Sequence, residues 1–180
     1  MKKRLILVFL LLTFFVSCSQ THHTPVHNRA SVNPEKLNQF LIDRGYHVVK
    51  YDQIKSGHSV VSAKINGVSG NFILDTGAIS TCLHQAFLKK FKIQQSHALK
   101  TLTMVGFSSN TSTCIYSIDS FKIGRMPINL PSVYSLDLSP FIRMIERDTD
   151  MLIHGIIGQD LLQSHNAIID VKGTSLFITG

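Results

Sequence analysis

Asp75, Thr76 and Gly77 close an apolar run, Phe72-Ile73-Leu74, and open onto Ala78-Ile79-Ser80-Thr81. A carboxylate at the end of a buried strand is costly unless something satisfies it. Gly77 lets the backbone turn sharply and approach another chain closely. Thr76 adds a hydroxyl that can bond nearby. These three residue types in a row can hold a carboxylate rigid, half-buried and aimed at a partner, which general acid–base chemistry requires.

The flanks say what positions it. Asn66-Gly67 is a strong hairpin signal, set between the runs 60–65 and 68–74. Asp75 is therefore expected as the first residue past a hairpin. A second apolar segment, Gly155-Ile156-Ile157-Gly158-Gln159-Asp160-Leu161-Leu162, reads as a strand end, a glycine and a short helix. Asn166-Ala167-Ile168-Ile169-Asp170-Val171, a Lys172-Gly173 turn and Leu176-Phe177-Ile178 follow.

With both motifs in this order, residues 58–179 resemble the retropepsin-like aspartic proteases. They are most similar to the bacterial single-domain members, which carry Leu-Asp-Thr-Gly-Ala after an Asn-Gly hairpin and Gly-Ile-x-Gly-x-Asp-x-Leu near the C-terminus. The resemblance implies an all-β domain: a small closed barrel with a flap hairpin and a few short helices. It implies that Asp75 is catalytic and that Thr76, Gly77 and Ala78 form its loop. It places a flap over substrate at Gly106, Phe107 and Ser108. By analogy Ile79, Cys82 and Ile156 line an apolar substrate pocket. No cofactor or metal is implied.

Amide hydrolysis can use two carboxylates that share one proton, because like charges about 3 Å apart do not both ionise easily. This chain holds one Asp-Thr-Gly. The resemblance thus implies a homodimer with Asp75 from each subunit, Thr76 bracing the pair, and a peptide or protein substrate. Ala78 offers no hydroxyl to the carboxylate, so activity is expected from mildly acidic to near-neutral pH. Two positions depart from the retroviral pattern. An aspartate and an arginine that pair there are matched here by Ile79 and Gln159, so that bracing network is absent. A catalytically silent peptide-binding or envelope module is the alternative reading. Asp148-Thr149-Asp150 lacks a following glycine and carries no chemical expectation.

Read from the start, Lys2, Lys3 and Arg4 precede an apolar run from Leu5 to Val16. That run is too short to span a bilayer as a helix and has the shape of a secretion signal over residues 1–17. Phe15-Val16-Ser17-Cys18 resembles a lipoprotein cleavage box with Cys18 lipidated. An ordinary signal peptide or a retained anchor would show the same apolar run. By analogy Ser19 points to the outer membrane of a bacterial envelope, facing the periplasm. Residues 18–33 read as a polar linker. Residues 34–57 read as a helix, with Asn33-Pro34 at its start, and a lead-in strand; the helix packs on the domain or takes part in a dimer contact. The protease-like domain then covers 58–180.

The net charge is +7, and three of those charges lie in Lys2, Lys3 and Arg4. The remaining basic residues are scattered, which argues against nucleic acid as a partner. Nine histidines show no metal-ligand spacing. Cys82 and Cys114 form an even pair in an exported chain, compatible with a disulfide or with two core thiols. Strands are expected over 47–51, 59–65, 80–83, 99–106 and 113–123, extended chain over 128–134, and helices over 84–91 and 137–147 with Ser139 as the second cap.

Overall fold

A computed structural model describes residues 33–104, 111–145 and 149–180 of the chain. Helix α1 spans Pro34–Ile42. The Asn33 side chain accepts from the Glu35 amide at 2.9 Å, and Pro34 sits where a missing N–H costs nothing. Strands β1 (His47–Lys50) and β2 (Asp52–Gln53) lead into β3 (Ser59–Ile65) and β4 (Val68–Leu74). The turn between β3 and β4 has Asn66 at φ 50° and Gly67 at φ 79°. Both central residues are left-handed, the twist that suits a two-residue hairpin.

Beyond Asp75 come β5 (Cys82–His84), β6 (Ala98–Met104) and β7 (Thr111–Ser117). Then follow β8 (Phe121–Ile123), β9 (Met126–Ile128), β10 (Ser132–Leu136) and helix α2 (Ser139–Ile145). The chain ends with β11 (Ile153–Ile157), helix α3 (Gln159–Ser164), β12 (Ile168–Asp170) and β13 (Ser175–Ile178).

Ten strands form one sheet in the order β6-β7-β10-β5-β11-β4-β3-β8-β9, with β2 beside β3. Strand β11 lies between β4 and β5, parallel to the first and antiparallel to the second. All five of its residues are buried, as a strand covered on both faces must be. A three-stranded sheet, β1-β13-β12, holds the C-terminus. Strand β1 thereby ties the lead-in segment to the last strand, and Asn33–Gly180 forms one compact unit.

The mainly β architecture with a few short helices matches expectation. The ladders do not draw the closed barrel: among the described residues none joins β6 to β9, the two ends of the larger sheet. The run 113–123 divides into β7 and β8, and 128–134 into β9 and β10. Asn66 explains the first break, since its side-chain oxygen accepts the Asp119 and Ser120 amides at 2.8 and 3.2 Å and turns the chain. In place of a helix over 84–91 there is one 3-10 turn, Gln85–Phe87, and further turns to Lys92.

The main core is centred on Phe72, whose ring meets Phe91 and Phe121 at about 6 Å. A second cluster joins Val60, Ile73, Cys82 and Ile156 to Leu138, Ile142 and Ile145 of the α2 region. Each such side chain contributes about 1.5–3 kcal/mol by leaving water. The second cluster lies beneath the Asp75 loop, since Ala78 packs against it.

Candidate active site

Strand β4 delivers Asp75 to its position. Its amide donates to the Ile157 carbonyl at 3.1 Å, which continues the β4–β11 ladder by one bond. Then the chain turns back: the Ala78 amide donates to the Asp75 carbonyl at 3.2 Å. The Gly77 amide donates to Asp75 Oδ1 at 2.8 Å. Asp75 is half-buried, and Thr76 and Gly77 are exposed. A carboxylate held by its own turn keeps one face open to whatever lies above it.

A segment about eighty residues away fixes the loop's exit. The Gln159 amide donates to the Ala78 carbonyl at 2.8 Å, and the Asp160 amide to the Ile79 carbonyl at 3.2 Å. The Gln159 side-chain amide donates to the Thr76 carbonyl. Gln159 therefore braces the loop within one chain, where the retroviral pattern has an ion pair. Asp160 accepts the Thr81 amide at 2.8 and 2.9 Å, the Thr81 hydroxyl at 2.7 Å and the Leu161 amide at 2.7 Å. The buried Thr81 hydroxyl in turn accepts from the Gly158 amide at 3.1 Å.

The two glycines of the second motif have steric reasons. A Cβ on Gly155 would lie 2.2 Å from the Cys82 carbonyl oxygen. One on Gly158 would lie 2.6 Å from the Ser80 carbonyl carbon and 2.8 Å from the Ala78 oxygen. Only bare backbone lets β11 and its exit pass this close to the loop. Sequence reasoning gave no role to Thr81 or Asp160. The available signal was an acid inside an otherwise apolar segment, which demands partners.

The expected pocket residues separate. Ile79 stands 84% exposed on the loop. Cys82 and Ile156 face each other across the β5–β11 ladder inside the second core cluster. Burial pushes the Cys82 thiol up to about 12, with the nearby Asp160 and Asp75 charges adding to the rise, so it is inert as a nucleophile. An open hollow of about 280 Å3 adjoins the loop on another side, lined by Thr76, Gln159, Leu162, Gln163, Ala167 and Ile169 among others. Gly106, Phe107 and Ser108 lie outside the described residues. Their flanking strands β6 and β7 are paired from Ala98–Tyr116 to Met104–Thr111. Cys18 also lies outside the described residues.

Cys82 and Cys114 are free thiols. Cys82 pairs with Tyr134, and Tyr134 with Ile115, the neighbour of Cys114. Two strand spacings of about 4.8 Å put the cysteines beyond the roughly 7 Å that a disulfide tolerates.

One other cluster has catalytic residue types. Ser139 Oγ lies 3.4 Å from His84 Nε2, and Asp137 Oδ1 lies 3.9 Å from Nδ1. The Leu138 amide donates to Nδ1 at 3.2 Å, and the Leu136 carbonyl oxygen lies 3.4 Å from the same nitrogen. The cluster pins the start of α2, where Asp137, not Ser139, accepts the exposed amide at 2.9 Å. The Ser139 hydroxyl and amide hold the Asp137 carboxyl below its usual range.

The aspartyl protease family model matches residues 61–161, from β3 through the second motif. The chain belongs to the aspartyl protease family. Among solved structures, it is similar to the retroviral protease-like domain of Ddi1 from Leishmania major. Identity is 21%, the TM-score is 0.50, and the match covers 66% of this chain and 86% of that one. That likeness supports the retropepsin-like fold. A retropepsin-like aspartic protease from Rickettsia conorii matches at 19% identity and a TM-score of 0.48, covering 74% of this chain and 88% of that one. The EIAV protease matches at 20% identity and a TM-score of 0.42, covering 59% and 86%. No curated protein sequence matches the chain.

Proposed function

We propose that this family member is an exported, lipid-anchored aspartic endopeptidase of the bacterial single-domain type, in which Asp75 from each of two protomers forms the catalytic pair. The observation that carries this reading is a solitary, half-buried carboxylate on a braced loop with exposed neighbours. The other carboxylate of the loop region, Asp160, is already bonded to Thr81 and Leu161. A second carboxylate for the reaction then comes from a second copy, placed over Thr76, Gly77 and Ile79.

In such a pair, the ionised carboxylate takes a proton from water as water attacks the amide carbon. The protonated one donates to the carbonyl oxygen, and the roles reverse as the tetrahedral intermediate collapses. The pair titrates as a unit. The anchor rests on the sequence around Cys18. Two or three acyl chains there would hold the protein firmly to a membrane, facing the periplasm.

The test is cleavage of a mixed peptide library by wild type and Asp75→Asn between about pH 4 and pH 7.5, with mass measured by light scattering in the same buffers. The expected result is cleavage by a dimer that falls at least about 1,000-fold in the variant, with its melting temperature kept. A folded monomer that cuts nothing would shift the reading to the peptide-binding module.

A further inference from the structure

A second hollow lies at the opposite end of the β3–β4 hairpin from Asp75. Its volume is about 400 Å3, and Lys64, Gly67, Ser120, Lys122, Gly124 and Arg125 line it. The length of β4 separates it from Asp75, roughly 25 Å at a strand's rise per residue.

Its charge arrangement is unusual for a sheet surface. Lys64 on β3 and Lys122 on β8 are direct partners in the ladder, and both are exposed. Like charges directly opposite one another destabilise a strand pair. The row continues through Ser69 on β4 and Pro127 on β9, so it contains no carboxylate. Arg125, exposed in the β8–β9 turn, adds a third cation. Among the described residues none of the three forms an ion pair. Asp119, the acid nearest in sequence to Ser120, pairs with none of them either. Three cations thus meet around a cavity with no ion-pair partner among the described residues, on a face that the proposed catalytic chemistry does not use.

We propose that this hollow binds phosphate groups. A phosphate presents several acceptor oxygens, which suits a guanidinium and two ammonium groups arranged around one space. Its charge turns the Lys64–Lys122 repulsion into a shared attraction. The Ser120 side chain lies at the same rim. The phosphate comes from free solution or from the headgroup of an anionic phospholipid. In the second case the hairpin end lies on the membrane and Asp75 points away from it toward substrate.

The test uses the full chain and the variant Lys64→Gln/Lys122→Gln. In one arm inorganic phosphate is titrated to about 10 mM and melting temperature is read. A free-phosphate site raises the wild-type value by about 2–4 °C and leaves the variant unmoved. In the other arm amide hydrogen exchange is followed on phosphatidylcholine vesicles with and without phosphatidylglycerol. A headgroup site protects residues 120–126 only where the anionic lipid is present and loses that protection in the variant. Lys2, Lys3 and Arg4 also respond to anionic lipid, so the comparison with the variant on the same vesicles is what controls for N-terminal anchoring. Either effect fades as salt approaches about 1 M. If neither arm gives an effect that the variant removes, the proposal is overturned. Lys122→Gln alone repeats both arms and guards against a folding defect in the double variant.

Discussion

Strand β4 ends in two turns that are held in different ways. At one end Asn66 and Gly67 make a hairpin whose geometry is set by the two residues themselves. The Asn66 side chain then reaches out: its amide donates to the Phe91 carbonyl at 3.0 Å and its oxygen accepts two amides from residues 119 and 120. At the other end the turn through Asp75 begins locally, with Gly77 on the carboxylate. Its exit through Ala78 and Thr81 is held by Gln159 and Asp160. One turn organises its surroundings, and the other is organised by them. A reacting carboxylate benefits from the second kind, because distant contacts can fix the loop and leave one carboxylate oxygen for the reaction.

The largest effect on stability should come from the segment that does the organising. Gly155→Ala drives a methyl into the Cys82 carbonyl, 2.2 Å from where the Cβ must go. Neither strand can move, since β11 is paired on both sides. A loss of about 3–5 kcal/mol is expected by urea titration. A loss under about 1 kcal/mol would mean that β5 and β11 are held far more loosely than their ladders indicate.

Asp160→Ala should come next. It leaves the Thr81 amide and hydroxyl and the Leu161 amide without their acceptor, in a region where water has little access. The expected loss is about 2–4 kcal/mol, with peptide cleavage falling alongside. Asn66→Ala leaves as many partner groups, three, without their bond at the other turn, where more of the groups face solvent. It should cost about 1–2 kcal/mol and leave cleavage per folded molecule unchanged. Equal effects of the two variants on cleavage would erase the distinction between the turns.

The two turns also explain what the sequence disclosed. The Asn66-Gly67 hairpin was legible because its signal is two residues long and steric. The helix start at Asn33-Pro34 was legible for the same reason. The Asp75 turn was legible only in part. Asp75, Thr76 and Gly77 stand in one stretch, but the need for Thr81 and Asp160 arises from a contact that crosses the chain. Gly155 and Gly158 were visible as a motif, and their reason, a close approach to Cys82, Ser80 and Ala78, was not. Barrel closure was not legible, because it depends on which edge strands meet, and no local pattern encodes that. The merging of β7 with β8 failed where a side chain from a distant turn, Asn66, interrupts an otherwise strand-like run.

The middle of β4 supplies a pH-dependent effect on stability. The Asn71 amide donates to His154 Nδ1 at 3.1 Å, and the ring packs 4.6 Å from Phe87 and 5.6 Å from Phe91. Burial first, and then the Lys90 ammonium beside Nε2, lower its pKa from 6.5 to about 4. The unfolded ring therefore takes up a proton well before the folded one does. Stability is fully present above about pH 6.5 and is lost as the pH falls toward about 4, by about 2–3 kcal/mol in all. Urea titrations at pH 7 and pH 4.5 should show most of that difference. His154→Phe should flatten it while lowering stability at pH 7, because the Asn71 amide loses its acceptor. An unchanged slope in that variant would assign the acid sensitivity to other groups.

The smallest effects separate the turns most sharply. Gly67 sits at φ 79° with nothing within 4 Å of an added Cβ, so Gly67→Ala pays only for backbone conformation, about 1 kcal/mol. Gly77 has no such backbone demand, but its added Cβ would lie 3.1 Å from Asp75 Oδ1. The carboxylate must then shift by a few tenths of an ångström. Gly77→Ala should change stability by less than about 0.5 kcal/mol. Its cleavage rate should still fall about tenfold or more, since misplacing a reacting group is expensive in rate. Gly67→Ala should do the reverse, losing stability and keeping its rate. If both variants lose rate alike, strand β4 transmits a disturbance from one turn to the other, and the two ends are not independent.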